Sequence, residues 1–254
     1  MKNLSVIIIT KNEAKNIERA LDSVTFADEI ILVDSGSTDE TLKIASKFKL
    51  KVYKQKWAGF AKQKEFALKK ATCKWVLSID ADEEVTENLK NEILNAINSD
   101  EINGYNICRA NYFLGKFIKH SGWFPDFQLR LFKKDKAQII NAEVHEGFKV
   151  KGKVSRLKSI LNHYTYFSIE QYLTKQNFYT SLEVRNRLNR KKIRTINFII
   201  NPLSTFLRMY ILKGGWRDGV RGLILASYSS LYTLLKYAKT WEAQLPKNKN
   251  ENFS

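Results

Sequence analysis

The sequence predicts an α/β fold on a doubly wound, mainly parallel sheet, followed by a basic helical extension. Short β-branched runs recur through the first hundred residues, and their near-continuous apolar character suits strands buried on both faces. Amphipathic segments of helical period separate these runs, and that alternation selects a parallel sheet. Near residue 100 the pattern changes to mixed strands, and near residue 168 to helix.

In chain order, "LSVIII" (4 to 9) is the first strand and 13 to 24 a helix. "EIILVD" (29 to 34) is the second strand, and "STDE" (37 to 40) reads as a capping box, Ser37 with Glu40, opening a helix over 38 to 48. "KVYK" (51 to 54), a helix over 59 to 71 and "WVLSID" (75 to 80) complete the alternation. A further helix, 86 to 98, takes Thr86 as its N-cap. Strands follow near 103 to 109, 127 to 133 and 154 to 161, around an aromatic, glycine-containing loop, "YFLGKFIKHSGWFPDF" (112 to 127).

The 254 residues carry a formal charge of +17 and are 44% hydrophobic with three prolines. That composition excludes disorder and implies an acidic partner: nucleic acid, an anionic membrane surface or a phosphorylated substrate. Cys73 and Cys108 form no CxxC pair, which suits two small core residues in a reducing compartment. The start, "MKNLSVIIIT", lacks a signal-peptide pattern, so a cytosolic protein is expected. From Lys149 to Arg217 there are 15 lysines and arginines against Glu170 and Glu183 alone. Two apolar stretches in the tail, 196 to 207 and 222 to 235, are shorter than the ~20 residues of a membrane span. Helices lying in the interface of an anionic inner leaflet, released by salt, are expected instead.

Open α/β sheets bind ligands at the carboxyl ends of their strands. Three polar clusters meet on that rim: Thr10-Lys11-Asn12-Glu13, Asp34-Ser35-Gly36-Ser37 and Asp80-Ala81-Asp82. Residues i and i+2 of an extended segment point the same way, so Asp80 and Asp82 can converge on one hard cation. Two carboxylates suit Mg²⁺ or Mn²⁺ that also takes oxygens from a substrate diphosphate. Glu83 and Glu84 read instead as an acidic turn before a helix N-terminus.

The ordered motifs "SVIIITKNEAKNIERALDSV", "EIILVDSGSTDET", "GFAKQKEFAL" and "WVLSIDADEE", spanning residues 4 to 84, resemble the nucleotide-sugar half of family 2 glycosyltransferases of GT-A fold. "WFPDFQLRLF", "EVHEGF", "NHYTY" and "LKGGWRDGVRGL" resemble, more loosely, the bacterial branch that glycosylates the lipopolysaccharide inner core with a hexose such as glucose. The resemblance implies a catalytic domain over 1 to 165, nucleotide-sugar half 1 to 100 and acceptor half 101 to 165, before a membrane-associating region over 166 to 254. It implies that Thr10 and Glu13 contact base and ribose, and that Asp34 accepts from a uracil imide. Lys64 or Lys62 touches the diphosphate, a lysine where the family carries arginine. Asp80 holds ribose or metal, Asp82 metal, and His163 completes the metal site. His120, Trp123, Asp126 and Arg130 fall in the acceptor segment.

Inverting transfer needs one general base on the acceptor hydroxyl. Glu146 is the candidate, with Glu143 in reserve and His145 orienting it. No nucleophile elbow supports a covalent route. The donor is expected to be a nucleotide-diphospho-sugar, UDP before ADP or GDP, and the acceptor lipopolysaccharide core or another glycolipid, alternatively a protein or capsule. The rival class is nucleic-acid binding through "RNRLNRKKIR" (185 to 194), but no zinc-finger, RRM or helix-turn-helix signature accompanies that run. No nucleic-acid partner is therefore expected. A dinucleotide enzyme lacks its GxGxxG.

Overall fold

The computed structural model describes residues 3–140, 147–187 and 193–245. The chain divides into two compact units, one of Met1–Tyr112 with Pro125–Thr165 and one of Phe113–Phe124 with Tyr166–Ser254. The aromatic loop therefore groups with the C-terminal helices.

The first unit begins β1 (Leu4–Thr10), α1 (Ile17–Asp22), β2 (Glu29–Asp34), α2 (Thr41–Ala45), β3 (Lys51–Lys54), α3 (Phe60–Lys70) and β4 (Trp75–Asp80). After β5 (Glu83–Val85) and α4 (Glu87–Ala96) come β6 (Gly104–Phe113), the two-residue β7 (Lys116–Phe117), β8 (Asp126–Lys133), β9 (Ala137–Ile140), β10 (Gly147–Val150) and β11 (Val154–Tyr166). The main sheet runs β3-β2-β1-β4-β8-β6-β11-β5. Its first four strands are parallel, and β8 joins β4 antiparallel. Alternate side chains of β1 enter two cores. Val6 and Ile8 pack with Ile17, Leu21, Leu77 and Leu89, while Ile7 and Ile9 pack with Val33, Ala67 and Phe132. That double burial is why the strand is continuously apolar in sequence.

Register brings the polar clusters together: Thr10 stands opposite Asp34, and Ile9 opposite Asp80. The helices after β1 and β2 are shorter than their periodicity predicts, because the loops before them use side chains to hold backbone donors. Glu13 N donates to Thr41 Oγ1 at 2.8 Å and Ala14 N to Asp39 Oδ2 at 3.1 Å. The expected capping box is absent for the same reason. Ser37 Oγ donates to Asp34 and accepts from Asn12 N at 2.9 Å, so it cannot cap α2. Asp39 receives Thr41 N in its place at 3.1 Å. Thr86 does cap α4, accepting Leu89 N at 3.3 Å. The acidic turn departs further from expectation: Glu83 and Glu84 lie in a strand, opposite His163 and Asn162 of β11.

The second unit holds α5 (Ile169–Arg187), α6 (Thr195–Leu207) and α7 (Val220–Gln244), with a π-helical turn at Arg208–Leu212 and a 3₁₀ turn at Gly215–Asp218. Phe113, Ile118, Tyr172 and Leu225 form its core. The turn fastens the aromatic loop: Asp218 accepts from His120 N at 2.9 Å and from its ring Nδ1 at 3.0 Å, and Ser121 N donates to Lys213 O at 3.0 Å. Arg221 NH2 donates to Leu114 O at 2.9 Å. Among the described residues no helix is long and apolar enough to cross a membrane.

Candidate active site

Strand ends set the site. Asp34, at the end of β2 and buried, accepts from Gly36 N at 2.8 Å and Ser37 N at 3.0 Å, shaping its own loop. Thr10, at the end of β1, is buried, and its Oγ1 has no hydrogen-bond partner among the described residues. Glu13 accepts Asn16 Nδ2 at 2.8 Å.

Asp80 ends β4 beside a cleft of about 240 Å³ bordered by Lys64, Arg109, Gln128 and Arg130. Lys64 Nζ is 3.1 Å from Asp80 Oδ1, whereas Lys62 lies exposed on α3 beside Glu65 and Lys69. Arg130 NH2 reaches Asp80 Oδ2 at 2.6 Å and also bonds Glu83, whose side chain is 0% exposed. Glu83 Oε2 in turn accepts Asp80 N at 2.9 Å. Burial raises the Asp80 carboxyl, but Arg130 and Lys64 outweigh it and hold that group well below the usual carboxylate range. The same carboxylates raise the Arg130 guanidinium against the opposing effect of burial.

A second chain of contacts ends at Asp82. Burial pushes the Asp126 carboxyl up, and Arg109, 2.6 Å away, with hydrogen bonds from Gln128 and Asn111, more than offsets it. Asp126 Oδ2 accepts Asn111 Nδ2 at 3.2 Å, which turns the amide oxygen of Asn111 to His163 Nδ1 at 2.7 Å. His163 Nδ1–H is thereby committed, and Nε2 faces Asp82 Oδ1 at 3.5 Å. An imidazole lone pair facing a carboxylate oxygen can share a cation, a proton or a divalent metal. Tyr164 N, next in the chain, ties the Asp82 carbonyl to β11 at 2.9 Å. The Tyr164 hydroxyl is pushed up to about 12 by burial and by its 2.6 Å bond to Glu84.

The structure thus brings together Asp82 with His163, and Asp80 with Lys64 and Arg130. Asp80 does not join the Asp82–His163 pair, and among the described residues no three His, Cys, Asp or Glu side chains converge on one point. Two protein donors fit a cation whose other ligands are phosphate oxygens. Of the residues assigned to the acceptor segment, Asp126 and Arg130 lie in the first unit, within these networks, and His120 and Trp123 in the second. Glu143, His145 and Glu146 lie outside the described residues. Sequence reading missed Glu83, Arg109 and Asn111. The signal for the last two was there: polar residues at i and i+2 in "YNICRANYF", on an otherwise apolar face of the strand.

Residues 5–165 match the model of glycosyl transferase family 2. The lipopolysaccharide core biosynthesis glycosyltransferase LpsC of Rhizobium meliloti is 31% identical over 250 residues, 94% of this chain and 92% of that protein. An uncharacterized glycosyltransferase of Rickettsia typhi is 33% identical over 261 residues, 96% and 89% of the two chains. Among solved structures, the mannosyltransferase PcManGT from Pyrobaculum calidifontis, in complex with GDP-Man and Mn²⁺, has a TM-score of 0.55 at 14% identity, over 96% of this chain and 88% of that one. S. aureus TarS 1-349 in complex with UDP-GlcNAc has a TM-score of 0.53 at 16% identity, over 95% and 91%. At these identities the structural likeness establishes the fold, the GT-A arrangement, and nothing finer.

Proposed function

The chain belongs to glycosyl transferase family 2, and from that premise we propose that it moves a hexose from a nucleotide-diphospho-sugar to a lipid-linked acceptor, the lipopolysaccharide core, with inversion. The observation that carries the donor half is the meeting of Asp82 with His163 beside a strand end where Lys64 and Arg130 flank Asp80. Similarity to LpsC over nearly the whole chain supports the acceptor half.

In this reading Thr10 and Asp34 receive the nucleoside, with the buried Thr10 hydroxyl as a ready partner, and Lys64 faces the diphosphate. Asp82 and His163, oriented by Asn111 and Asp126, hold Mg²⁺ or Mn²⁺, which neutralises charge on the departing nucleoside diphosphate when bound. The Glu146 carboxylate, with Glu143 in reserve, takes the acceptor hydroxyl proton as that oxygen bonds to the anomeric carbon. The bond from that carbon to the diphosphate oxygen breaks, and no sugar–enzyme bond forms. His120 and Trp123 serve the acceptor. UDP is expected before ADP and GDP, with Asp34 accepting the uracil imide N–H. The enzyme works at the inner face of the cytoplasmic membrane, where such an acceptor is built.

Thermal shift against UDP-, ADP- and GDP-sugars with and without Mn²⁺ tests the donor, and release of nucleoside diphosphate tests the reaction. Stabilisation by one nucleotide-sugar that needs Mn²⁺, with turnover abolished by Asp82→Ala and lowered at least ~10²-fold by Glu146→Gln, is expected. Normal turnover in Asp82→Ala, or indifference to excess EDTA, overturns the metal assignment.

A further inference from the structure

The second unit carries a helix whose polarity is inverted. Ile196, Ile199, Ile200, Leu203 and Leu207 recur at the three- and four-residue spacing of one α6 face, and all are exposed, Ile199 to 60%. On the side of α6 that meets α7, hydroxyls take part in the packing. Thr205 Oγ1 meets Thr233 Oγ1 at 3.2 Å, and Ser230 Oγ donates to Pro202 O at 2.9 Å. A helix packed in water does the reverse, burying its isoleucines and leucines and exposing its hydroxyls. Hydroxyl-bearing contacts between helices with apolar side chains outward are the habit of segments whose other neighbour is lipid.

The apolar surface does not stop at the helix end. Leu212 is 80% exposed, Val220 72% and Trp216 60%, across the turns that follow. From Thr195 to Arg217 there is no acidic residue, while Arg194, Arg208, Lys213 and Arg217 stand exposed in or beside the segment. Exposed apolar side chains in this number, with a tryptophan among them and cations beside them, match the chemistry of an anionic bilayer surface. A second copy of the chain matches them poorly, because an isologous contact would set the same cations against each other with no acid between them.

We propose that the outward face of α6, continued by Leu212, Trp216 and Val220, inserts into the headgroup and acyl boundary of an anionic bilayer. Membrane binding is therefore carried by apolar insertion as well as by charge, and it persists where salt screens charge. The other apolar stretch of the tail plays a different part, since Leu225, Ala226 and Thr233 of α7 are buried within the unit. This mode of attachment rests on the reading of a lipid-linked acceptor, but its test does not require turnover.

Full-length protein is sedimented with phosphatidylcholine vesicles containing phosphatidylglycerol, at low salt and at about 1 M salt, where the Debye length is about 3 Å. Wild type stays largely bound at both. Ile199→Glu with Leu203→Glu lowers partitioning by on the order of 10-fold or more at both, since a carboxylate resists entry into the acyl region. Leu212→Glu, at a side chain too exposed to support the fold, lowers it in the same direction. Circular dichroism and donor thermal shift of each variant report fold and donor site separately, so a failed donor reading is distinguishable from a failed membrane reading. Complete release of wild type by salt, or unaltered binding by the charged variants, overturns the proposal. So does a dimer in analytical ultracentrifugation that the same variants split while vesicles go unbound.

Discussion

Arg130 bonds both Asp80 and Glu83, and Glu83 is wholly buried. Removing that cation leaves Asp80 to Lys64 and the buried Glu83 to Arg109 alone, and breaking a buried pair typically costs about 3–5 kcal/mol. Arg130→Ala should therefore lower the urea-unfolding free energy by that order, and Arg130→Lys by less, since lysine keeps the charge but not the guanidinium's several donors. A variant of unchanged stability with impaired transfer would return Arg130 to the acceptor role that the motif suggests. Residue-level legibility follows from how far a partner lies in sequence. Asp34, Asp80 and Asp82 were readable because carboxylates at strand ends are anomalous where they stand. Glu83 reads as part of an acidic turn because its partners, Arg109 and Arg130, are 26 and 47 positions away. A single sequence carries no trace of that closure.

Three strands place the relay that ends at Asp82: β6 supplies Asn111, β8 Asp126 and β11 His163. Residues that orient a metal ligand usually contribute 10–100-fold to metal affinity. Asn111→Leu, which keeps the volume and loses the amide, should weaken Mn²⁺-dependent stabilisation by about that factor while leaving Mn²⁺-independent nucleotide binding intact. Equal loss of both would mark Asn111 as merely structural. In the second unit the decisive contact is steric. A Cβ on Gly222 would stand 1.8 Å from the Gly215 carbonyl oxygen, so α7 could not keep its approach to the preceding turn. Gly222→Ala should destabilise by about 3 kcal/mol or more, at the top of the overpacking range, whereas Gly147→Ala, with nothing within 4 Å of the added carbon, should be neutral in the same melt. The long, doubly buried strands β1, β2 and β4 were legible because burial on both faces writes a continuous apolar run. The pairing of β9 with β10 is not legible, because strands of four residues are too short for their alternation to stand out. The helices α1 and α2 were overextended because Thr41 and Asp39 take backbone donors that periodicity alone assigns to helix.

The charge of +17 belongs to the whole molecule, and its consequence differs for the two proposed substrates. A nucleotide-sugar meets a local balance of charge: Lys64, Arg109 and Arg130 stand against Asp80, Glu83 and Asp126. Its affinity should depend weakly on ionic strength, since paired charges at this range are only partly screened. The proposed acceptor, embedded in an anionic surface, would meet the uncompensated charge instead, each cation near that surface adding about 1 kcal/mol at low salt. Raising salt should therefore raise the apparent KM for a vesicle-embedded, phosphate-bearing acceptor several-fold while nucleoside diphosphate release from the donor alone stays nearly flat. On the proposed insertion, the apolar face of α6 should set a floor to that effect, keeping the enzyme on the vesicle after the charges are screened. Steady-state transfer measured against salt, with bound enzyme quantified by sedimentation in the same samples, separates the two contributions. A KM that tracks the bound fraction alone would mean that the excess charge acts only in docking. A KM that rises while the enzyme remains bound means that the basic surface also steers the acceptor's phosphates, and this second outcome is the one expected.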